Sequence, residues 1–477
     1  MLFSSTVFIF IFLPVLLLLY FAIPKKYLAA KNGLLLVFSL GFYAWGEPKF
    51  VLIMILSIIG NYIFGRLISE QKSKKGWLIT GISFNVFIIF IFKYLNFVIA
   101  NVNALLRAVG GANIQIHQTS IALPIGISFF TFQAISYIID VYRGKVQAQN
   151  NPFYLGLYIS FFPQLIAGPI VRYSDINIAI TERKESLDKF TVGVKRFIFG
   201  LSKKVILSNN FALIADQAFS LSEAGNTTTA MAWLGMIAYT LQIFFDFSGY
   251  SDMAIGLGKM FGFDFNENFN YPYISKSVSE FWRRWHISLG SWFRDYVYFP
   301  LGGSRVDTNK KLVRNLFVVW LLTGVWHGAS WNFIIWGLMY FVLITFEKLT
   351  GYPNKFSKSI SVNLYMVFTL LCVMLGWVIF RAEGIENAVN YLLSLIGIGT
   401  TGGYNNEFIR YLCENKVFLL FGIILSTPLI KNICVKSKME GTIIGEIVKT
   451  IVCITLLGVC VSYLVLESYN PFIYFNF

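Results

Sequence analysis

The chain has 477 residues, of which 56% are apolar, 18% aromatic and only 13% charged, with a net charge of +15. A water-soluble protein of this length needs about twice that charged share to cover its surface, so a set of soluble domains is excluded and a polytopic membrane protein is indicated. The excess of 39 basic over 24 acidic residues sits in short loops beside apolar runs, which is the positive-inside pattern rather than a nucleic-acid surface, and no nucleic-acid partner is expected.

In chain order the apolar runs fall near residues 2–23, 33–46, 50–66, 77–92, 94–107, 120–140, 152–171, 191–208, 229–247, 314–326, 330–347, 361–380, 417–430 and 448–466. A span takes about 20 apolar residues. Some runs are shorter or carry a charge, so about eleven to thirteen true crossings are expected, with re-entrant and interfacial helices besides. The first run is too long for the apolar part of a secretion signal, and Lys25 and Lys26 follow it rather than precede it. This asymmetry predicts the N-terminus outside and residues 25–31 in the cytoplasm. The basic loop at 66–75 comes two crossings later, on the same side, and the polar stretches 172–190 and 303–314 are also predicted cytoplasmic. Neither an internal repeat nor a soluble domain of its own is visible. The five cysteines have no zinc spacing and no disulfide pattern, and no metal is expected.

Three stretches do not read as plain lipid-facing helices: PIGISFFTFQAISYIIDVYRG at 124–144, SFFPQLIAGPIVR at 160–172, and the segment 246–305. Proline and glycine at membrane depth free backbone groups that protein or a water-filled cavity must satisfy. The chain contains three histidines. His117 lies in a polar linker and reads as a solvated loop residue. His327 lies in LLTGVWHGASW, inside a run without Asp, Glu, Lys or Arg from 315 to 346. An ionisable side chain at that depth is costly; it marks a functional site or a structural histidine bonded between helices, and the sequence leaves both open. Trp326 and Trp331 beside it are candidate pocket walls. His286 lies in FWRRWHIS, where aromatic rings interleave with Arg283, Arg284 and Arg294. One reading is an interfacial anchor with snorkelling arginines. The other is a cytoplasmic surface for polyanions such as the phosphates of coenzyme A. Asp140, Asp246, Asp252 and Asp295, near membrane depth, keep an ion or glycan transporter as a rival class. The phosphate loop, the H-E-x-x-H motif and the G-x-S-x-G elbow do not occur. GIGTTG at 397–402 matches G-x-G-x-x-G without a strand–helix context and is rejected.

FWRRWHISLGSWFRDYVYFPLGGSR followed by LLTGVWHGASWNFIIWGL resembles the membrane-bound O-acyltransferase superfamily, in its bacterial alginate and cell-wall polysaccharide O-acetyltransferase branch. PIGISFFTFQAISYIIDVYRG, FPQLIAGPIVR and DFSGYSDMAIGLGKMFGF are similar to the same branch, so the resemblance covers most of residues 120–340. It implies an all-α polytopic membrane protein with a core around a central channel. It also implies N-terminal helices at 1–118, a catalytic core at 119–350, C-terminal helices at 351–466 and an aromatic tail at 467–477. His327 matches the superfamily's membrane-embedded catalytic histidine, and His286 its second histidine or asparagine position. Many alginate-type members carry a further histidine after W-G-x-x, where this chain has Tyr340. The tail FIYFNF looks like the F-x-Y-x-x-F motif of envelope acyl-transfer systems, in which the tyrosine is proposed to carry the acyl group; that would be Tyr474. An aromatic interfacial anchor is the other reading of this tail.

The resemblance implies an O-acetyltransferase of a bacterial cell membrane that takes acetyl from cytoplasmic acetyl-CoA as co-substrate, with no bound cofactor. Arg283, Arg284 and Arg294 are the expected donor contacts, and Trp326, Trp331 and Asp295 are expected along the channel. An extracytoplasmic SGNH-type transferase is the expected partner, moving acetyl to an envelope polysaccharide. The sister branch, D-alanyl transfer to teichoic acid from a carrier-protein thioester, remains an alternative.

Overall fold

The structure is a computed structural model, described here for residues 1–110, 115–353, 355, 359–437, 441–466 and 469–473; among these every regular element is helical. Among the described residues eight helices are long and apolar enough to cross a membrane, nine if a pair bent by 63° counts as one span. This is fewer than the eleven to thirteen expected, because several apolar runs merge or fall short. Runs 77–92 and 94–107 form one 35-residue helix, while 2–23 and 120–140 yield the shorter helices Phe8–Ala22 and Ile127–Tyr142. The prolines of 160–172 break that stretch into short pieces.

The chain divides into two units, Met1–Phe190 with Gly258–Phe265, and Thr191–Leu257 with Asn266–Phe477. In the first unit lie α1 (Phe8–Ala22), α2 (Leu28–Gly46), α3 (Val51–Glu70), α4 (Lys74–Ala108), α5 (Ile127–Tyr142) and α6 (Pro152–Ser160). Two buried amides, Asn61 on α3 and Asn85 on α4, exchange side-chain hydrogen bonds of 3.0 and 2.7 Å, which is how helices without a water-driven force are fixed against one another in lipid. Glu185, in the polar stretch after α6, pairs at 2.6 Å with Lys31, a lysine only 1% exposed.

The second unit contains α7 (Leu187–Glu223, from Thr191 onward), α8 (Thr229–Met260, to Leu257), the short α9 (Val278–Arg284) and α10 (Ile287–Phe293), then α11 (Asn309–His327), α12 (Trp331–Thr350) and α13 (Ser359–Arg381). The bent pair α14 (Asn406–Leu425) and α15 (Leu429–Lys436) and the helix α16 (Ile443–Leu466) also belong to it. Two helix pairs meet backbone to backbone through glycine. A Cβ on Gly249 of α8 would lie 2.7 Å from the Gly200 carbonyl of α7, and one on Gly337 of α12 would lie 2.5 Å from the Trp320 carbonyl of α11. Small residues at such crossings let helices approach closely and gain dispersion contacts that larger side chains would prevent. The second crossing fixes the end of α11, and therefore His327.

Candidate active site

His327 is the last residue of α11 and is 6% exposed. Its ring is enclosed by Trp326 at 4.9 Å, Trp336 at 4.9 Å, Phe380 at 5.1 Å and Phe333 at 6.4 Å between centroids. Gly328 makes this enclosure possible, because a Cβ there would sit 2.2 Å from the Phe333 ring. Asn332, at the start of α12, donates to the carbonyls of Ile379 at 3.2 Å, Ala382 at 2.8 Å and Gly384 at 3.1 Å. These bonds tie the end of α13 to α12 and hold Phe380 over the imidazole.

His286 lies between α9 and α10, 2% exposed and in the left-handed region at φ 45°. Among the described residues, only Tyr271 and His286 hold a positive φ without being glycine. Such strain costs about 1–3 kcal/mol and persists where surrounding structure over-determines it. Here Asn268 does so. Its backbone carbonyl accepts from Ile287 N at 3.0 Å, and its side-chain oxygen accepts from Ser288 N at 3.2 Å and Ser288 Oγ at 2.9 Å. The same oxygen lies 3.1 Å from Nδ1 of His286. A backbone N–H can only donate, so the atom it meets is the amide oxygen and Nδ1 must carry the proton. The lone pair then resides on Nε2, which has no hydrogen-bond partner among the described residues. Burial pulls the imidazole down to about 3, so it is neutral. Its ring meets Phe247 of α8 edge-on at 4.6 Å and Trp326 at 6.3 Å. Both histidines therefore flank one indole, that of Trp326.

The sequence FWRRWHIS behaves less like a membrane-surface belt than like core. Trp285 and Trp292 are 3% and 5% exposed. Trp282 packs on Tyr340 at 4.9 Å, Trp320 at 5.0 Å and Trp336 at 5.4 Å, while Trp285 meets Trp377 at 4.8 Å. Tyr340 is fully buried in this cluster. Glu347 of α12 caps α9, accepting from Val278 N at 2.7 Å and Ser279 N at 2.8 Å. A carboxylate at a helix N-terminus satisfies orphan donors and complements the helix dipole.

The remaining sequence candidates are distributed. Arg283 and Arg294 are exposed. Arg284 pairs with Glu280 at 2.8 Å, and Arg294 with Asp295 at 3.0 Å. Trp331 is half exposed at the start of α12, and His117 is exposed. Tyr474 lies outside the described residues. The four carboxylates considered for an ion pathway all have cations beside them: Asp140 has Lys145 at 3.8 Å, Asp246 has Lys204 at 2.7 Å, Asp252 has Arg196 and Lys203, and Asp295 has Arg294. A cavity of about 1220 Å³ runs beside α7 and α8, with Arg196, Lys203, Asp252 and Glu267 in its wall and Asn268 and Ile287 where it adjoins His286.

The profile of the membrane-bound O-acyltransferase family, MBOAT, matches residues 40–381 of this chain. The chain belongs to that family. The match takes in α8 to α12 with both histidines, and the O-acyltransferase assignment excludes the transporter class. The chain is 45% identical to the probable alginate O-acetylase of Pseudomonas aeruginosa over 84% of this chain and 76% of that protein. It is 33% identical to the peptidoglycan O-acetyltransferase of Helicobacter pylori over 100% of this chain and 98% of that protein. Its identity to the teichoic acid D-alanyltransferase of Bacillus subtilis is also 33%, over 54% of this chain and 69% of that protein. Asn268 and Glu347, which hold the second histidine of this O-acyltransferase in place, were not singled out from the sequence. Glu347 had a visible signal, a lone carboxylate ending a run of 32 residues that opens at Asn315 and has no charged side chain. Asn268 had none, because nothing in the string NENFNYP separates one amide from the next.

Proposed function

We propose that this O-acyltransferase moves acetyl from cytoplasmic acetyl-CoA, across the membrane, for O-acetylation of an extracytoplasmic polysaccharide. The observation that carries the reading is the pair of buried histidines on the Trp326 indole. The relatives support acetyl over D-alanyl, since the alginate O-acetylase likeness covers 84% of the chain and the D-alanyltransferase likeness 54%.

In this mechanism the donor thioester enters through the cavity beside His286, and its phosphates meet Arg283, Arg284 and Arg294 on the cytoplasmic side. His327 is the general base. It takes the proton of an attacking hydroxyl while that oxygen bonds to the acetyl carbonyl carbon. The carbon–sulfur bond breaks, the proton passes from the imidazole to the departing thiolate, and free coenzyme A leaves. The hydroxyl is that of Tyr474. A tyrosyl ester has a leaving group of pKa about 10, near enough to the thiol's pKa of about 8.5 to keep much of the transfer potential. His286, neutral with its Nε2 lone pair available, holds the donor or assists proton transfer. An SGNH-type partner outside then carries acetyl from the tyrosyl ester to a sugar hydroxyl and restores the phenol.

The test is mass spectrometry of purified protein after incubation with isotopically labelled acetyl-CoA, comparing wild type, His327→Ala and Tyr474→Phe. Label on the C-terminal peptide, lost in both variants, is the expected result. Label that persists in Tyr474→Phe removes the carrier role. Labelling by a D-alanyl carrier-protein thioester instead of acetyl-CoA overturns the donor.

A further inference from the structure

The two residues before Tyr474 are buried, and the segment that leads to them is held by polar and charged groups. After α16 the chain returns into its own unit. Tyr469 donates its hydroxyl to Asp216, which also pairs with Arg381. Asn209 donates to the Tyr469 carbonyl at 3.4 Å and to the Asn470 side-chain oxygen at 3.3 Å. Lys204 donates to the carbonyl of Pro471. Phe472 lies against the Tyr250 ring at 4.8 Å, and the backbone N–H of Ile473 donates to Asp246 Oδ2 at 2.9 Å. Phe472 and Ile473 are 4% and 7% exposed.

Lys204 and Asp246 form an ion pair of 2.7 Å whose side chains are 2% and 1% exposed. A pair so deeply buried is costly to desolvate, and apolar residues of similar size commonly serve stability as well or better. Stability alone therefore gives little reason to keep it. What the pair does here is specific: each member bonds the backbone of the same incoming strand, Lys204 at Pro471 and Asp246 at Ile473. The next residue in sequence is Tyr474.

Two of the helices around this segment, α8 and α13, also reach the two histidines. Asp246 and Tyr250 lie one turn apart on α8 and face the tail, while Phe247, on another side of the same turn, meets His286. Arg381 closes α13 and binds the aspartate that Tyr469 bonds, while the preceding residue, Phe380, covers His327.

We infer that Lys204 and Asp246 are a built receptor for the C-terminal strand and act as positioning residues for Tyr474. The inference rests on the acyl-carrier reading of Tyr474, but the receptor can be measured separately. Two variants of the full chain in lipid nanodiscs are needed. In one, Lys204→Met with Asp246→Leu, the ion pair becomes an apolar pair that leaves no unpaired charge. In the other, Phe472→Ala, the pair stays intact and the ring contact is lost. Lys204→Arg is the conservative control. Each is read by thermal unfolding, by amide hydrogen exchange at Phe472 and Ile473, and by the initial rate of acetyl label on Tyr474 from acetyl-CoA.

In wild type the Ile473 amide exchanges slowly. In the apolar double variant it exchanges at the rate of an open strand while α8 stays protected. Labelling then falls on the order of a hundredfold, the scale of a small misplacement of a reacting group, with the melting temperature unchanged or higher. Phe472→Ala lowers labelling with the ion pair present, and Lys204→Arg restores most of it. A purely structural role makes labelling follow melting temperature, so a stable double variant that labels at the wild-type rate overturns the inference. Fast exchange of Ile473 in wild type overturns it as well. A protected Ile473 without any label on Tyr474 refutes the carrier reading and, with it, the positioning role, while identifying the receptor as a docking site alone.

Discussion

Glu347 and Val278 are joined across 69 positions of sequence by a carboxylate-to-backbone hydrogen bond of 2.7 Å. The bond caps the start of α9, so α12, which also carries Trp336 of the His327 enclosure, anchors the short helix that leads to His286. Glu347→Gln retains shape and one acceptor, whereas Glu347→Ala takes the carboxylate from the buried Val278 N–H and the half-buried Ser279 N–H. The alanine variant should lose about 1–3 kcal/mol of stability and the glutamine variant less. Thermal unfolding in detergent, run beside the acetyl-labelling rate, checks both.

His327→Ala should reduce transfer by about 100- to 10,000-fold, the usual worth of a general base. Its melting temperature should stay close to wild type, since the neighbours of the ring are aromatic side chains that can close over part of the space it leaves. Release of free thiol from acetyl-CoA is the measurement. An active His327→Ala protein would remove the general-base assignment.

Gly328→Ala puts a methyl group where the Phe333 ring lies. The ring must swing, and its displacement alters one wall around His327. Activity should fall by about tenfold or more, because misplacing a reacting group by about 1 Å costs up to a hundredfold. Adding Phe333→Leu should recover part of that loss, since neighbours in contact are not additive. The coupling is read from the four initial rates of the mutant cycle.

His286 gives a pH prediction with a definite sign. Burial lowers its pKa from the ordinary 6.5 to about 3, so between those values the unfolded chain binds a proton that the folded protein does not. Stability is therefore full above about 6.5 and falls as pH drops toward 3, by at most about 1.4 kcal/mol per unit from this group. In His286→Gln the melting temperature should depend less on pH across that window. Equal slopes for variant and wild type would show that the imidazole is not buried neutral.

The sequence made the membrane class and the helical architecture legible, and it marked His327 as a candidate, each for a physical reason. Apolar runs of span length have few alternatives, and a histidine in a run of 32 residues without charge stands out by its cost. What surrounds the histidines was not legible. Asn268 reads His286 through side-chain geometry that no spacing rule encodes. Trp282 and Trp285 looked like surface anchors because tryptophan beside arginine is common at a bilayer edge. Here α12 and α13 cover them, a tertiary outcome that a local window does not contain. Lys204 and Asp246 lie 42 positions apart and the strand they hold lies more than 220 positions further on, so only the folded chain shows that one pair serves both of its ends.

The rings around His327 have a consequence for waste. An activated acetyl group is thermodynamically ready to go to water, and any imidazole able to deprotonate a phenol is able to deprotonate a water molecule. Trp326, Trp336, Phe333 and Phe380 pack aromatic rings around the His327 imidazole, which narrows the room for a hydrolytic water there. In an acyltransferase the crowding of such a site serves fidelity: acyl donor is spent on an arriving acceptor in preference to water.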